Sequence, residues 1–159
     1  MSYDLSKPLV IGISSRALFN LEQENKIFEE QGVEAYEAYQ VAHENEILQK
    51  GAAFQLIKAF LKLNNTGLGR LVEVIIMSRN NANTCLRIFN SIQYYGLDIT
   101  RATLTSGAEI APYLKAFKTD LFLSANSVDV QSAINDGIAA GLILTGAAHA
   151  DAKQKIDQI

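Results

Sequence analysis

Three short polar triplets in this sequence each follow an apolar, strand-like run: Ser14-Ser15-Arg16, Ser78-Arg79-Asn80 and Ser124-Ala125-Asn126. Their residue types suit phosphate. Hydroxyls and backbone amides can hold phosphate oxygens, while Arg and Lys neutralise their charge, Arg with a planar fork of donors. Lys115, on a short helical stretch between the second and third triplets, adds another cation. Taken singly, Ser and Asn at strand ends more often cap helices than bind ligands. As a set, Ser14, Ser15, Arg16, Ser78, Arg79, Asn80 and Lys115 point to an anion site. The first triplet has neither a glycine-rich cradle nor a carboxylate, so the usual nucleophile of phosphate chemistry is missing there.

Such a site needs parallel strands, whose C-terminal ends all lie on one edge of the sheet. The chain reads that way. Residues 9–13 form a short, β-branched apolar run, as expected of a strand covered on both faces. Residues 71–77 are the clearest strand, and 97–104, 120–123 and 142–144 follow. Helical spacing covers 18–31, stopped by Gly32, and 33–48, with Val33, Tyr36, Tyr39 and His43 on one stripe. Further helices are read from Gly51 to the Asn64-Asn65-Thr66-Gly67 stop, over 82–95, over 110–117 with Pro112 in the first turn, and over 127–140. Strands spaced by helices imply right-handed crossovers and a mainly parallel sheet. The expected fold is therefore one Rossmann-like α/β domain, residues 1–146, with helices on both faces. Residues 147–159 read as a frayed helix or a disordered tail.

Bulk properties narrow the function classes. With 159 residues, 48% hydrophobic and 19% charged, the chain suits one packed domain rather than two. A net charge of -3 leaves no electrostatic footprint for nucleic acid. No apolar run reaches the length of a membrane span, and residues 1–8 lack the basic and apolar regions of a signal peptide. Single Cys85 excludes an intramolecular disulfide and fits a reducing compartment. The cytoplasm is the expected location, with neither nucleic acid nor membrane as partner. His43-Glu44 lacks a second ligand at metal-binding spacing, and Ser14 and Ser15 lack the Gly-x-Ser-x-Gly elbow and paired His of a serine hydrolase. Cys85 is read as a core residue, since nothing near it in sequence would lower its pKa.

The stretch Ile11-Gly12-Ile13-Ser14-Ser15-Arg16-Ala17-Leu18-Phe19 resembles the cytosolic type I 5'-nucleotidases. So do Glu30-Gln31-Gly32-Val33-Glu34-Ala35-Tyr36, His43-Glu44-Asn45-Glu46, Met77-Ser78-Arg79-Asn80-Asn81, and Tyr113-Leu114-Lys115-Ala116-Phe117 with Asp120-Leu121-Phe122-Leu123-Ser124-Ala125. The likeness runs in order over residues 8–144. It implies a haloacid-dehalogenase-like fold with a small helical cap over approximately residues 20–50. Aromatic residues 36–45 of that cap would lie over the strand ends, whereas Phe54 and Phe60 read as packing against the sheet. The implied ligand is a nucleoside 5'-monophosphate or phosphate.

The resemblance also implies a limit. Proteins of that family are roughly twice this length and look like two related halves, and this chain resembles the first half alone. In the second half the first strand ends in Asp-x-Asp, a phosphate-accepting nucleophile followed by a general acid/base. Through the shared Leu18-Phe19 those positions become Ile13 and Ser15 here. The closing acidic pair, which binds magnesium, falls near Ser124 and Ala125, so magnesium is implied by the family while its carboxylate ligands are missing. Ser78 stands at the hydroxyl position that binds phosphate, and Lys115 lies near the lysine that steadies nucleophile and phosphate.

Phosphoryl transfer of this type requires a carboxylate to attack phosphorus and others to hold a divalent cation. Ile13 cannot react, and a serine without an adjacent base is a poor nucleophile. Asp98 and Asp120 begin strands, which puts them at the opposite edge. The expected function is binding of a nucleotide or phosphate without hydrolysis by this chain alone. A homodimer or a second-half partner chain would then complete the site. The alternative is a stand-alone pseudoenzyme or interaction domain with a vestigial anion pocket.

Overall fold

Two apolar runs lie side by side at the centre of the sheet. β1 (Leu9–Ser14) and β2 (Val72–Ser78) pair in parallel from Leu9 opposite Val72 to Ser14 opposite Met77. β3 (Arg101–Leu104) joins β2, β4 (Leu121–Ser124) joins β1, and β5 (Ala139–Leu142) joins β4, all in parallel. The order is β3-β2-β1-β4-β5. This structure, a computed structural model, describes residues 7–145, and the expected tail at 147–159 lies outside them.

Alternation along the central strands shows why they read as unbroken apolar runs. Ile11, Ile13, Val72, Val74 and Ile76 face one buried cluster, while Val10, Ile75, Met77 and Phe122 face another. Helices α4 (Phe54–Lys62) and α5 (Leu86–Tyr94) cover the first face through Phe54, Ile57, Leu61, Ile88 and Ile92. Helices α6 (Ala111–Ala116) and α7 (Ser127–Asn135) cover the second through Leu114 and Ala133. The expected α/β, Rossmann-like sheet with helices on both faces is the observed fold. No described helix is long and apolar enough to cross a membrane.

Several boundaries differ from the expected ones. Residues 18–31 are not one helix. α1 (Ser15–Leu18) is a single turn, and α2 (Glu22–Gln31) starts afresh after an extended stretch at Phe19. Leu18 and Phe19 are fully buried, so their apolar spacing reflects core packing rather than one helical stripe. Phe19 forms an antiparallel bridge with Lys50, and Asn20 N donates to Gln49 O at 2.9 Å. The returning chain passes so close that a Cβ on Gly51 would lie 2.7–2.8 Å from backbone atoms of Phe19, Ala17 and Leu18. Only glycine fits there. Between these clamped segments, α2 and α3 (Val33–Ala42) form a helical hairpin broken at Gly32.

α5 begins at Leu86 rather than 82, because Asn81 turns the chain first, its Oδ1 accepting from Thr84 N at 3.1 Å. α7 stops at Asn135 rather than 140, since Gly137 takes φ +80° and reverses the chain. The last strand accordingly runs Ala139–Leu142 rather than 142–144.

Candidate functional site

The chain runs from β1 through β2 to β3 on one side and then crosses back to β4 on the other side of β1, so the strand order reverses between β1 and β4. In open α/β sheets the crevice outside the strand C-termini at such a switch point is the usual place for a ligand. A cavity of about 560 Å³ lies there. Its walls include Ser14, Ser15 and Arg16 after β1, Ser78, Arg79 and Asn80 after β2, and Ser124, Ala125 and Asn126 after β4. Glu24 and Phe28 of α2 and Tyr36 and Glu37 of α3 bring the helical hairpin over it. Six of the seven residues read from the sequence therefore converge. Lys115 does not: it is exposed on α6 and absent from the cavity wall. Its neighbour Leu114 points into the second core cluster, which turns position 115 away on a helix of 3.6 residues per turn.

Ser14, Ser78 and Ser124 serve the local backbone first. Ser14 Oγ accepts from Ala17 N and from Ala125 N, both at 3.2 Å, capping α1 and tying β1 to the loop after β4. Ser124 Oγ accepts from Asn126 N at 3.0 Å, and Ser78 Oγ from Asn80 N at 3.1 Å. Asn126 Oδ1 caps α7 by accepting from Val128 N at 3.0 Å and Asp129 N at 3.1 Å. A hydroxyl that accepts in this way keeps its own proton to donate. Ser14 and Ser124 have no acceptor for that proton among the described residues. Ser78 instead hydrogen bonds with the Cys85 thiol, whose pKa burial pushes up to about 11 against that bond's smaller opposing effect. Cys85 is a buried, neutral core residue, as its sequence surroundings implied.

The cations are paired. Arg16 Nε lies 3.2 Å from Glu22 Oε1 and its Nη2 lies 3.4 Å from Oε2. Burial pushes the Glu22 carboxyl up, but hydrogen bonds from Arg16 and Thr145 together hold it below its ordinary value. Arg79 Nε donates to Asp129 Oδ2 at 3.2 Å, its Nη2 to Asp129 Oδ1, and its Nη1 to Gly107 O at 3.4 Å. These bonds to Asp129 raise the Arg79 pKa further. Two more carboxylates on the wall are held as well. Arg87 of α5 donates to Glu24 Oε1 at 2.7 Å and to Gln40 Oε1 at 3.3 Å, and Asn81 Nδ2 donates to Glu37 Oε1 at 2.7 Å.

On the hairpin side, Tyr36 donates its hydroxyl to Asn80 Oδ1 at 2.6 Å, and Phe28 meets the Tyr36 ring edge-on at 5.9 Å. Burial raises the Tyr36 pKa, so the phenol is neutral. This aromatic pair offers a face for a planar ring. His43 stacks on Tyr39 with its Nδ1 2.7 Å from Tyr39 O, a packing role. No group of three His, Cys, Asp or Glu side chains is placed to share a metal among the described residues.

The residue pattern missed Phe28, Glu24, Glu37 and Asp129. Asp129 alone carried a readable signal, an acidic side chain in the first turn of the helix that follows the third triplet. The others come from the hairpin, whose placement no local pattern reveals.

Two comparisons with known proteins find matches. A family model described as 5'-nucleotidase matches residues 1–159. The chain is also 40% identical over 146 residues to the Homo sapiens protein Cytosolic 5'-nucleotidase 1B, covering 87% of this chain and 24% of that relative. It thus spans about a quarter of the relative's length. No solved structure matches.

Proposed function

The chain belongs to the 5'-nucleotidase family, and from that premise we propose that it holds a nucleoside 5'-monophosphate or phosphate at the C-terminal edge of its sheet without hydrolysing it unaided. One observation carries the reading: residues of three strand ends, with free hydroxyl protons on Ser14 and Ser124, meet an aromatic pair around one cavity. Hydroxyl donors suit phosphate oxygens, and the Phe28–Tyr36 pair suits a base. In this proposal Ser14, Ser15, Arg16, Ser78, Arg79 and Asn80 form the phosphate end. Lys115 could join only by a movement of α6.

The donor set does not fit magnesium. Ser124 and Ala125 stand where the family resemblance implies an acidic pair, and the carboxylates of Glu24, Glu37 and Asp129 are each held by an Arg or Asn. Ile13, at the implied nucleophile position, is fully buried. A second copy or a separate chain would have to supply the reacting carboxylates. A cytoplasmic location belongs to the same proposal.

A second reading is favoured by the pairing of Arg16 and Arg79 with Glu22 and Asp129: a pseudoenzyme or interaction domain whose anion pocket is vestigial. The purified chain, given magnesium and a panel of 5'-mononucleotides, separates the readings. Calorimetry should register binding while no phosphate is released. Robust release would overturn the claim of inactivity, and absence of any binding would favour the second reading.

A further inference from the structure

We propose that Asp129 determines what the cavity accepts: its carboxylate occupies the phosphate position from within, and a nucleotide's phosphate can engage Arg79 only by displacing it. This deepens the nucleotide reading above and rests on it.

The sheet order puts the pair where it matters. β2 and β4 flank β1, Arg79 directly follows β2, and Asp129 lies in the first turn of the helix after β4. Their ion pair therefore joins the elements that follow the two strands flanking β1, at the cavity that Ser14 also lines. The nearby backbone donors are taken as well, since Asn126 Oδ1 accepts from both Val128 N and Asp129 N. Arg79 has its Nε and Nη2 on Asp129 and its Nη1 on Gly107 O. An arriving phosphate thus meets a committed cation beside a negative charge.

Burial makes that charge effective. The Asp129 side chain is 8% exposed, against 37% for Glu22. Water screens the Arg16–Glu22 pair, so Arg16 can exchange partners with little penalty. Around Asp129 the lower local dielectric keeps repulsion between carboxylate and phosphate strong, and a displaced Asp129 would be left buried without its partner. A neutral nucleoside meets no such conflict, because its ring would lie against Phe28 and Tyr36.

Calorimetry on the wild-type chain and on Asp129→Asn, with adenosine 5'-monophosphate, adenosine and inorganic phosphate, tests this. In the wild type, adenosine and its monophosphate should bind with similar affinity, because the phosphate adds little. In Asp129→Asn the monophosphate should bind at least about tenfold tighter, equivalent to about 1.4 kcal/mol, with adenosine unchanged. No gain for the monophosphate in a folded Asp129→Asn protein, while the wild type binds it, overturns this proposal alone. Binding of neither adenosine nor its monophosphate by either form removes the nucleotide reading and this proposal together. A silent wild type with a binding Asp129→Asn protein supports the proposal and overturns only the reading for the natural chain. Should the variant fail to fold, the Arg79 Nε–Hε resonance of the wild type decides. A shift with the monophosphate and not with adenosine supports displacement, and an unmoved resonance overturns it.

Discussion

At the N-terminal edge of the sheet, polar side chains serve the backbone and one another, with Thr119 Oγ1 buried and unpartnered among the described residues. Asp120 accepts from Val10 N at 2.9 Å. Asn64 Oδ1 accepts from Leu71 N at 2.9 Å and Val72 N at 3.0 Å, and its Nδ2 donates to Val72 O at 2.9 Å. Buried Glu73 sits between Arg70 and Arg101, and Asp98 takes the other arm of Arg70. At the C-terminal edge the same kinds of bond surround a cavity, and Ser14, Ser78 and Ser124 join Asn126 in making them. The difference lies in what remains once the backbone is served. A carboxylate used this way can only accept, whereas a serine that accepts an N–H still carries a proton to donate. Hydroxyls thus leave the C-terminal edge with proton donors beside its cavity.

Substitutions can break or sharpen this contrast. The largest effect is expected from Glu73→Ala, which leaves two arginines around an empty buried position. Stability should fall by about 3 kcal/mol in urea unfolding, the lower end for a broken buried pair because both arginines reach solvent. Ligand binding by the folded fraction should be unchanged, and a binding defect there would show that the two edges are coupled. Gly51→Ala should lose about 2 kcal/mol, because its Cβ would press on the backbone that separates α1 from the hairpin.

Ser124→Ala is the direct test of the hydroxyl argument. It should weaken nucleotide or phosphate binding by about 1 kcal/mol in calorimetry, the worth of one hydrogen bond. Unaltered affinity would reduce Ser124 to a turn residue and erase the contrast with Asp120. Arg16→Ala should weaken monophosphate binding by about 1 kcal/mol, because its solvent-screened pair with Glu22 releases the guanidinium to a phosphate at little cost.

The smallest effect concerns the core behind Ser78. With its thiol pushed up from 9.0 to about 11, Cys85 should resist iodoacetamide at pH 8 in the native protein and react once unfolded. A folded-state pKa above the unfolded one means that this stability contribution is intact below pH 9 and fades as pH rises toward 11. Rapid native labelling would show that the core behind Ser78 is open.

Much of this arrangement was legible from residue types. The continuous apolar runs at residues 9–13 and 71–77 announced central strands because both of their faces are covered. The capping habit of Ser and Asn anticipated the bonds of Ser14 and Asn126, and the strand starts placed Asp98 and Asp120 away from the cavity. The single helix expected over 18–31 failed for a physical reason. Leu18 and Phe19 are apolar because the core claims them, and the pairing with 49–50 that breaks the helix is tertiary. Lys115 read as a site residue because its type is right, but nothing local reported that α6 packs with position 115 outward.

The sequence by itself determined the parallel α/β fold class, the strand-end triplets and the absence of a carboxylate from Ser14-Ser15-Arg16. Those properties depend on residue identity, local spacing and the direction that parallel strands share. Only the tertiary structure decided which charges meet. Arg79 finds Asp129 50 residues away and Arg87 finds Glu24 63 residues away. Such pairings form where separate elements happen to pack, and a local pattern cannot encode them. They are also what decides whether the strand-end cations remain available to a ligand, because an arginine held by a buried carboxylate no longer acts as a free positive charge.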